Sequence, residues 1–202
     1  MEVASIVLAG GRGLRLGRSK ALELVGGRPL IQRVIASLRQ LPSHIMVVTS
    51  REQVNSLRDA GADEVLVDIC PGTGPLGGIY TGLVASPCWR NVVVACDMPF
   101  LNPGLLRYLV ELCQNFDAVV PRLSADTLEP LHAVYSKVCL DSIKSQLGSG
   151  RLKVDAFLKA VRVRYVERSE CQRLDPQLLS FFNINRQADL ERAEALAAKL
   201  GI

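Results

Sequence analysis

The chain has 202 residues, 49% of them hydrophobic and 22% charged, with a formal net charge of +4. That composition suits one large folded domain and excludes a disordered chain. No apolar run reaches the roughly 18 residues a membrane span needs, and MEVASIVLAGG lacks the basic region and cleavage site of a signal peptide. A cytoplasmic protein with no membrane partner is expected. Six cysteines form no CxxC pair and only two histidines are present, so a clustered zinc site is not expected and the thiols should be reduced. The mild basicity, with a pI near 8.8, suits phosphate ligands without requiring them.

Val3 to Leu8 reads as a buried strand. Pro29 to Gln40 reads as a helix with Leu30, Ile31, Val34, Ile35 and Leu38 on one face. Ile45 to Thr49 is a second strand, Arg51 to Asp59 a helix and Glu64 to Asp68 a third strand. A Gly/Pro loop leads to a helix from Leu76 to Val84, and Val92 to Cys96 is a fourth strand. Asn102-Pro103 is a helix start, an Asn cap with proline in the first turn, continued by Leu105 to Leu112. Ala118 to Pro121 is a fifth strand.

Beyond residue 121 the pattern loosens. Leu131 to Tyr135 reads as a strand, and Lys137 to Leu147 and Leu152 to Lys159 as helices. Val161 to Val166 alternates apolar and basic residues, as a half-exposed and antiparallel edge strand would. Phe181 to Ile184 reads as a last strand and Ala188 to Leu200 as a last helix. Strands alternating with helices imply parallel βαβ units. The expected fold class is α/β: a three-layer α/β/α domain on an open, mostly parallel, Rossmann-like sheet. Its nucleotide-binding half spans about 1–121 and its acceptor-binding half about 122–202.

Open α/β sheets bind ligands at the carboxyl ends of their strands, and three segments there carry unusual residues. The loop 8–20 holds Gly10, Gly11, Gly13 and Gly17 with Arg12, Arg15, Arg18 and Lys20. Its glycines let backbone amides approach a ligand and its cations suit a triphosphate. It is neither a dinucleotide fingerprint, since Leu16 stands at the third glycine position, nor a Walker A loop, since Arg18-Ser19 follows Gly17. In the segment 67–78, Asp68 is an acceptor for a base or ribose, or a turn cap. Gly77 and Gly78 lie near a helix N-terminus that favours an anion. In 94–100, Asp97 follows a buried strand directly and is placed to hold Mg²⁺ together with phosphate oxygens and water.

These pieces, LAGGRGLRLGRSKAL (8–22), GGRPLIQRV (26–34), GPLGGIYTGL (74–83), ACDMPFL (95–101), PLHAVY (130–135) and FFNINRQADL (181–190), resemble the molybdenum cofactor guanylyltransferase family over nearly the whole chain. The first loop is shared with sugar and cytidylyl transferases, whereas CDMPFL with NIN is more specific. The resemblance implies a nucleotidyltransferase fold and a GTP site on Leu8, Ala9, Gly10, Gly11, Lys20, Asp68 and Asp97, with Asp97 the magnesium ligand. It places Asn183 and Asn185 at the pterin acceptor. Two positions depart from the family: Ser19 stands where an Asp often precedes the lysine, and Thr49 or Ser50 where some members have a nucleotide-binding Asn. The implied reaction is attack of the terminal phosphate of molybdopterin on the α-phosphorus of GTP, with Lys20 and Arg15 offsetting charge and pyrophosphate leaving. Rival readings are CTP as donor, a sugar-phosphate or cobinamide-phosphate acceptor, or a non-catalytic nucleotide-binding module. Nucleic-acid binding is not supported, because the few aromatics are not interleaved with basic residues. The stretch Arg151 to Arg173, with seven Lys/Arg against three acids, faces the pterin phosphate or a cofactor-delivery or acceptor protein, or is simply a solvated helix and edge strand.

Overall fold

A computed structural model describes residues 3–10 and 19–202. The first strand, β1 (Val3–Leu8), is followed by a hairpin of two short strands, β2 (Leu24–Val25) and β3 (Arg28–Pro29), and then by helix α1 (Leu30–Leu38). Next come β4 (Ser43–Thr49), β5 (Glu64–Val67), α2 (Pro75–Ala85), β6 (Arg90–Ala95), α3 (Pro103–Leu112), β7 (Ala118–Ser124), β8 (Thr127–Leu128) and β9 (His132–Ser136). The chain ends with α4 (Cys139–Gly148), α5 (Val154–Phe157), β10 (Val163–Glu167), α6 (Arg168–Leu174) and α7 (Gln187–Leu200).

The main sheet runs in the order β10-β7-β9-β6-β1-β4-β5, with β8 paired to β7. β6, β1, β4 and β5 are mutually parallel, and β9 is antiparallel to both β6 and β7. Successive residues of β1 serve opposite faces. Val3 and Val7 pack with Ile31, Val34 and Leu38 of α1 and with Leu105, Leu106 and Leu109 of α3. Ala4 and Ile6 pack with Leu76, Ile79 and Leu83 of α2 and with Ile143 of α4. Continuously apolar strands are what a sheet covered on both faces requires, and the expected three layers are present.

α2 sits unusually close to β1 because it turns glycines toward it. A Cβ added to Gly82 would lie 2.5 Å from Ile6 Cγ2, and one on Gly78 would lie 3.1 Å from Leu8 Cδ2. At α3 the Asn102 side chain accepts from Leu105 N at 3.0 Å with Pro103 opening the helix, as the sequence predicts.

Three expectations are corrected. β10 is an edge strand and half-exposed, but it runs parallel to β7. The antiparallel strand is β9, which returns the chain to the amino-terminal edge of the sheet. There Asp117, just ahead of β7, accepts from Arg162 N at 2.9 Å, so β10 starts beside the start of β7 and runs with it. The expected strand at Phe181 to Ile184 is instead a 3₁₀ turn, Leu179–Phe181, followed by an unpaired connection. Its aromatic rings pack separately, Phe181 against His132 and Phe182 against Phe100, so the apolar run is satisfied by ring contacts and not by a ladder. The expected helix Arg51 to Asp59 is a 3₁₀ segment, Asn55–Ala60, kinked at Asp59. Only Leu57 and Ala60 are buried there, too few to hold an α-helical face against the sheet.

Candidate active site

A cleft of about 1570 Å³ opens at the carboxyl ends of β1, β4, β5 and β6, and Leu8, Gly10, Lys20, Asp68, Asp97 and Asn185 line it. Each strand delivers one part. β1 hands over to Ala9, whose N–H donates to Val48 O at 2.8 Å, while Leu8 O accepts from Cys96 N at 3.1 Å. These bonds extend the sheet one step past its strands and hold Ala9, Gly10 and Asp97 side by side. A Cβ on Gly10 would meet only Ser50 N and Thr49 Cα, at 3.8 and 3.9 Å. Packing inside the described protein therefore does not demand glycine there, and its lack of a side chain keeps the backbone bare toward the cleft.

Asp68 continues β5, with its N–H donating to Thr49 O at 2.8 Å. Its Oδ1 accepts from Cys70 N at 2.9 Å and Thr81 Oγ1 at 2.8 Å. Asp68 is therefore a turn cap, one of the two sequence readings, and it also lines the cleft, where Oδ2 carries no hydrogen bond to a described residue. Thr81, which fixes Asp68 from α2, was not legible in the sequence: it is one hydroxyl in an apolar helix, and no local spacing links it to Asp68. Gly78 lines the cleft at the first turn of α2. Gly77 is a packing residue, since a Cβ would fall 2.1 Å from Thr73 Oγ1 and 2.6 Å from Cys70 O.

Asp97 and Lys20 form the polar centre. Lys20 Nζ donates to Asp97 Oδ2 at 2.5 Å and to Asn185 Oδ1 at 2.9 Å. Both charged side chains are 17% exposed, so the pair sits at the cleft floor with limited screening. Asp97 Oδ1 is buried and has no hydrogen-bond partner among the described residues. A buried carboxylate oxygen without a partner carries a desolvation cost that an incoming cation or donor would relieve. Among the described residues no group of three or more His, Cys, Asp or Glu could hold a metal. A divalent ion on Asp97 would therefore draw its remaining ligands from phosphate and water, which is how Mg²⁺ is usually held. The neighbouring Cys96 is buried, which pushes its thiol up to about 12 with the charge of Asp97 adding to the effect. It is not a nucleophile.

The two asparagines part ways. Asn185 joins Lys20 in the cleft. Asn183 donates to Phe181 O at 3.4 Å and does not line the cleft. Arg15 and Gly11 lie outside the described residues. Two groups on the 129–132 segment escaped the sequence reading although the motif around them was recognised. His132 is fully buried with neither ring nitrogen partnered among the described residues, and burial lowers it to about 3. Burial likewise raises Glu129 to about 7. The segment is anchored by Leu131 O, which accepts from Ala95 N at 3.0 Å, and Leu131 lines the cleft.

The Arg151 to Arg173 stretch is neutralised only in part by the chain itself. Arg162 pairs with Asp117 at 2.9 Å, and Arg164 with Glu170 at 2.7 Å.

A mostly parallel sheet with a cleft at its carboxyl edge, a lysine–carboxylate pair on the floor and bare backbone at the end of β1 define a nucleotidyltransferase of Rossmann-like architecture. The same fold is found in 2-C-methyl-D-erythritol 4-phosphate cytidylyltransferase of Thermus thermophilus, with a TM-score of 0.73, 20% identity and coverage of 98% of this chain and all of that one. A model of the MobA-like NTP transferase domain matches residues 5–165, and the chain belongs to that family. It is 38% identical over 197 residues to a protein of Pelotomaculum thermopropionicum named "Probable molybdenum cofactor guanylyltransferase", covering 98% of this chain and 94% of that one. It is 35% identical to the molybdenum cofactor guanylyltransferase of Desulfosudis oleivorans, covering 98% and 97%. Among solved structures, molybdopterin-guanine dinucleotide biosynthesis protein A of Archaeoglobus fulgidus superposes with a TM-score of 0.85 at 32% identity, covering 98% of this chain and all of that one. Among the described residues no helix is long and apolar enough to cross a membrane.

Proposed function

We propose that this protein transfers GMP from GTP to the terminal phosphate of molybdopterin in a Mg²⁺-dependent reaction in the cytoplasm, releasing pyrophosphate and forming the guanine dinucleotide form of the cofactor. The observation that carries the reading is the Lys20–Asp97 pair with its unpartnered Oδ1 on the floor of the cleft. The relatives' names supply the nucleotide and the acceptor. Leu8, Ala9, Gly10 and the uncovered oxygen of Asp68 are the nucleotide contacts in this reading, and Arg15 and Gly11 complete the loop. The exposed side chain of Ile69 at the cleft offers an apolar face for the base.

The step needs no nucleophile from the protein. An oxygen of the acceptor phosphate forms the new bond to the α-phosphorus, the bond from that phosphorus to the bridging oxygen breaks, and pyrophosphate leaves with the electron pair. The work of the chain is to align two polyanions and to offset their charge. Lys20 faces the phosphates, and Asp97 would hold the metal, which when bound polarises phosphate oxygens and orients the acceptor. The 122–202 half forms the acceptor side. Within Arg151 to Arg173, the cations without an ion pair to a described residue, Arg151, Lys153, Lys159 and Arg168, remain for the acceptor or for a protein that delivers it or takes the product.

The test is thermal stabilisation of the protein by GTP, CTP, ATP and UTP, each with Mg²⁺. GTP is expected to raise the melting temperature most, as ligand binding to the folded state must. A larger shift with CTP would overturn the choice of base.

A further inference from the structure

Asn185 is 165 residues from Lys20 in sequence and 2.9 Å from its Nζ in space. Three anchors hold it there. Its own N–H and that of Arg186 both donate to Asp189 Oδ2, at 3.0 and 2.9 Å, closing a turn at the start of α7. These bonds hold the Asp189 carboxyl below its ordinary range. The preceding Ile184 N–H donates to the backbone carbonyl of Asp97 at 3.1 Å. The Ile184 side chain is fully buried with Val25, Leu30, Phe100, Ala193 and Ala197. The segment 184–189 is thus bolted to the same backbone that presents Asp97, and the Asn185 carbonyl oxygen is delivered to Lys20 as part of that joint.

An ammonium has three donors. One goes to Asp97 Oδ2 and one to Asn185 Oδ1, and no described residue takes the third, which can serve a ligand. The amide matters because it accepts without adding negative charge next to a polyphosphate. Without it, Nζ would have Asp97 as its single partner among the described residues and would be free to settle across both carboxylate oxygens, covering the one that a metal would use.

We infer that Asn185 is a positioning residue of the nucleotide site, which holds Lys20 at its working place, and not a ligand of the acceptor. This rests on reading the cleft as a triphosphate site. Wild-type protein that binds none of the four nucleoside triphosphates would sink that reading before any variant is made. The inference itself is tested by a double-mutant cycle on calorimetric affinity for the preferred Mg-nucleotide, with no acceptor present, using N185A, K20M and the pair. N185A is expected to weaken binding about tenfold and K20M about a hundredfold, the scale of hydrogen bonds to a charged group. The double variant should be no weaker than K20M, because the amide acts only through the lysine. In the transfer reaction N185A should lower kcat while the acceptor KM stays within about twofold. Additive losses in the double variant, or an unchanged nucleotide affinity with a raised acceptor KM, would overturn the inference. If melting shows that N185A does not fold, Asn185→Ser, also too short to reach Nζ, takes its place in the cycle.

Discussion

The two halves of the sheet treat their charges differently. Around β7 and β10 the charged side chains are matched with one another. Arg122 meets Glu167 at 2.5 Å, Arg162 meets Asp117, and Arg164 and Tyr108 both meet Glu170. At the carboxyl ends of β1, β5 and β6 the described residues only half use the polar groups: Asp97 spends one oxygen while the other is buried with no described partner, and Asp68 spends one on its turn. A charge that its own chain has satisfied stabilises a fold or does nothing, whereas a charge left partly unsatisfied at a cleft is stored for a ligand. The contrast favours the cleft as the seat of the chemistry without reference to any relative, and it can be broken in three places.

The largest effect is expected at Asp97. Asp97→Ala should reduce Mg²⁺-dependent transfer by about a thousandfold and abolish nucleotide-dependent Mn²⁺ binding followed by electron paramagnetic resonance, with a cooperative melt retained. Near-normal Mn²⁺ binding in that variant would remove Asp97 from the metal site.

The next effect is on pH, and it belongs to the 129–132 segment. His132 is lowered to about 3 in the folded protein from an ordinary 6.5. The stability it contributes by staying neutral is complete above about pH 6.5 and is lost as pH falls from there toward 3. One pH unit is worth about 1.4 kcal/mol, so the chain should lose about 2 kcal/mol between pH 6.5 and 5 from this residue. Glu129 works in the opposite direction. Its folded value near 7 lies above the ordinary 4.5, so its contribution is complete below pH 4.5 and is lost as pH rises through 7. Urea unfolding at pH 4, 5 and 8 separates the two: His132→Phe should flatten the acid side, and Glu129→Gln should stabilise at pH 8 and change nothing at pH 4. A wild-type curve whose acid limb survives His132→Phe would show that other groups carry it.

The smallest effect is expected where the charges are matched. Arg122→Ala removes an exposed ion pair with Glu167 and a contact over the Tyr165 ring. It should move the melting temperature by less than about 3 °C and leave nucleotide affinity unchanged. A loss of acceptor affinity would mean that this pair is not merely structural.

The parallel core was legible because burial on both faces writes itself as unbroken apolar runs, as in Val3–Leu8 and Val92–Ala95. The α3 cap was legible because Asn102-Pro103 is a local signal. The direction of β9 was not, since an antiparallel strand covered on both faces carries the same apolar run as a parallel one. Phe181 and Phe182 read as strand because adjacent aromatics do not say whether they will alternate across a sheet or split between two packing partners. Lys20, Asp68 and Asp97 could be placed together because each follows a strand of the same sheet. That Asn185 belongs beside Lys20, while its near neighbour Asn183 does not line the cleft, depends on how residues 184–189 dock against Asp97, and no local period encodes that.

The tie between Ile184 and the Asp97 backbone has a consequence for how the protein is made. On the ribosome, β1, β4, β5 and β6 emerge early and can begin to pack, but Lys20 acquires its second partner only when residues 184–189 leave the exit tunnel. The polar centre is therefore completed well after the strands that carry Asp68 and Asp97. A nascent chain stalled before that point would carry Asp97 and Lys20 without the amide that is the second partner of the lysine, and is expected to hold a Mg-nucleotide more weakly than the released protein.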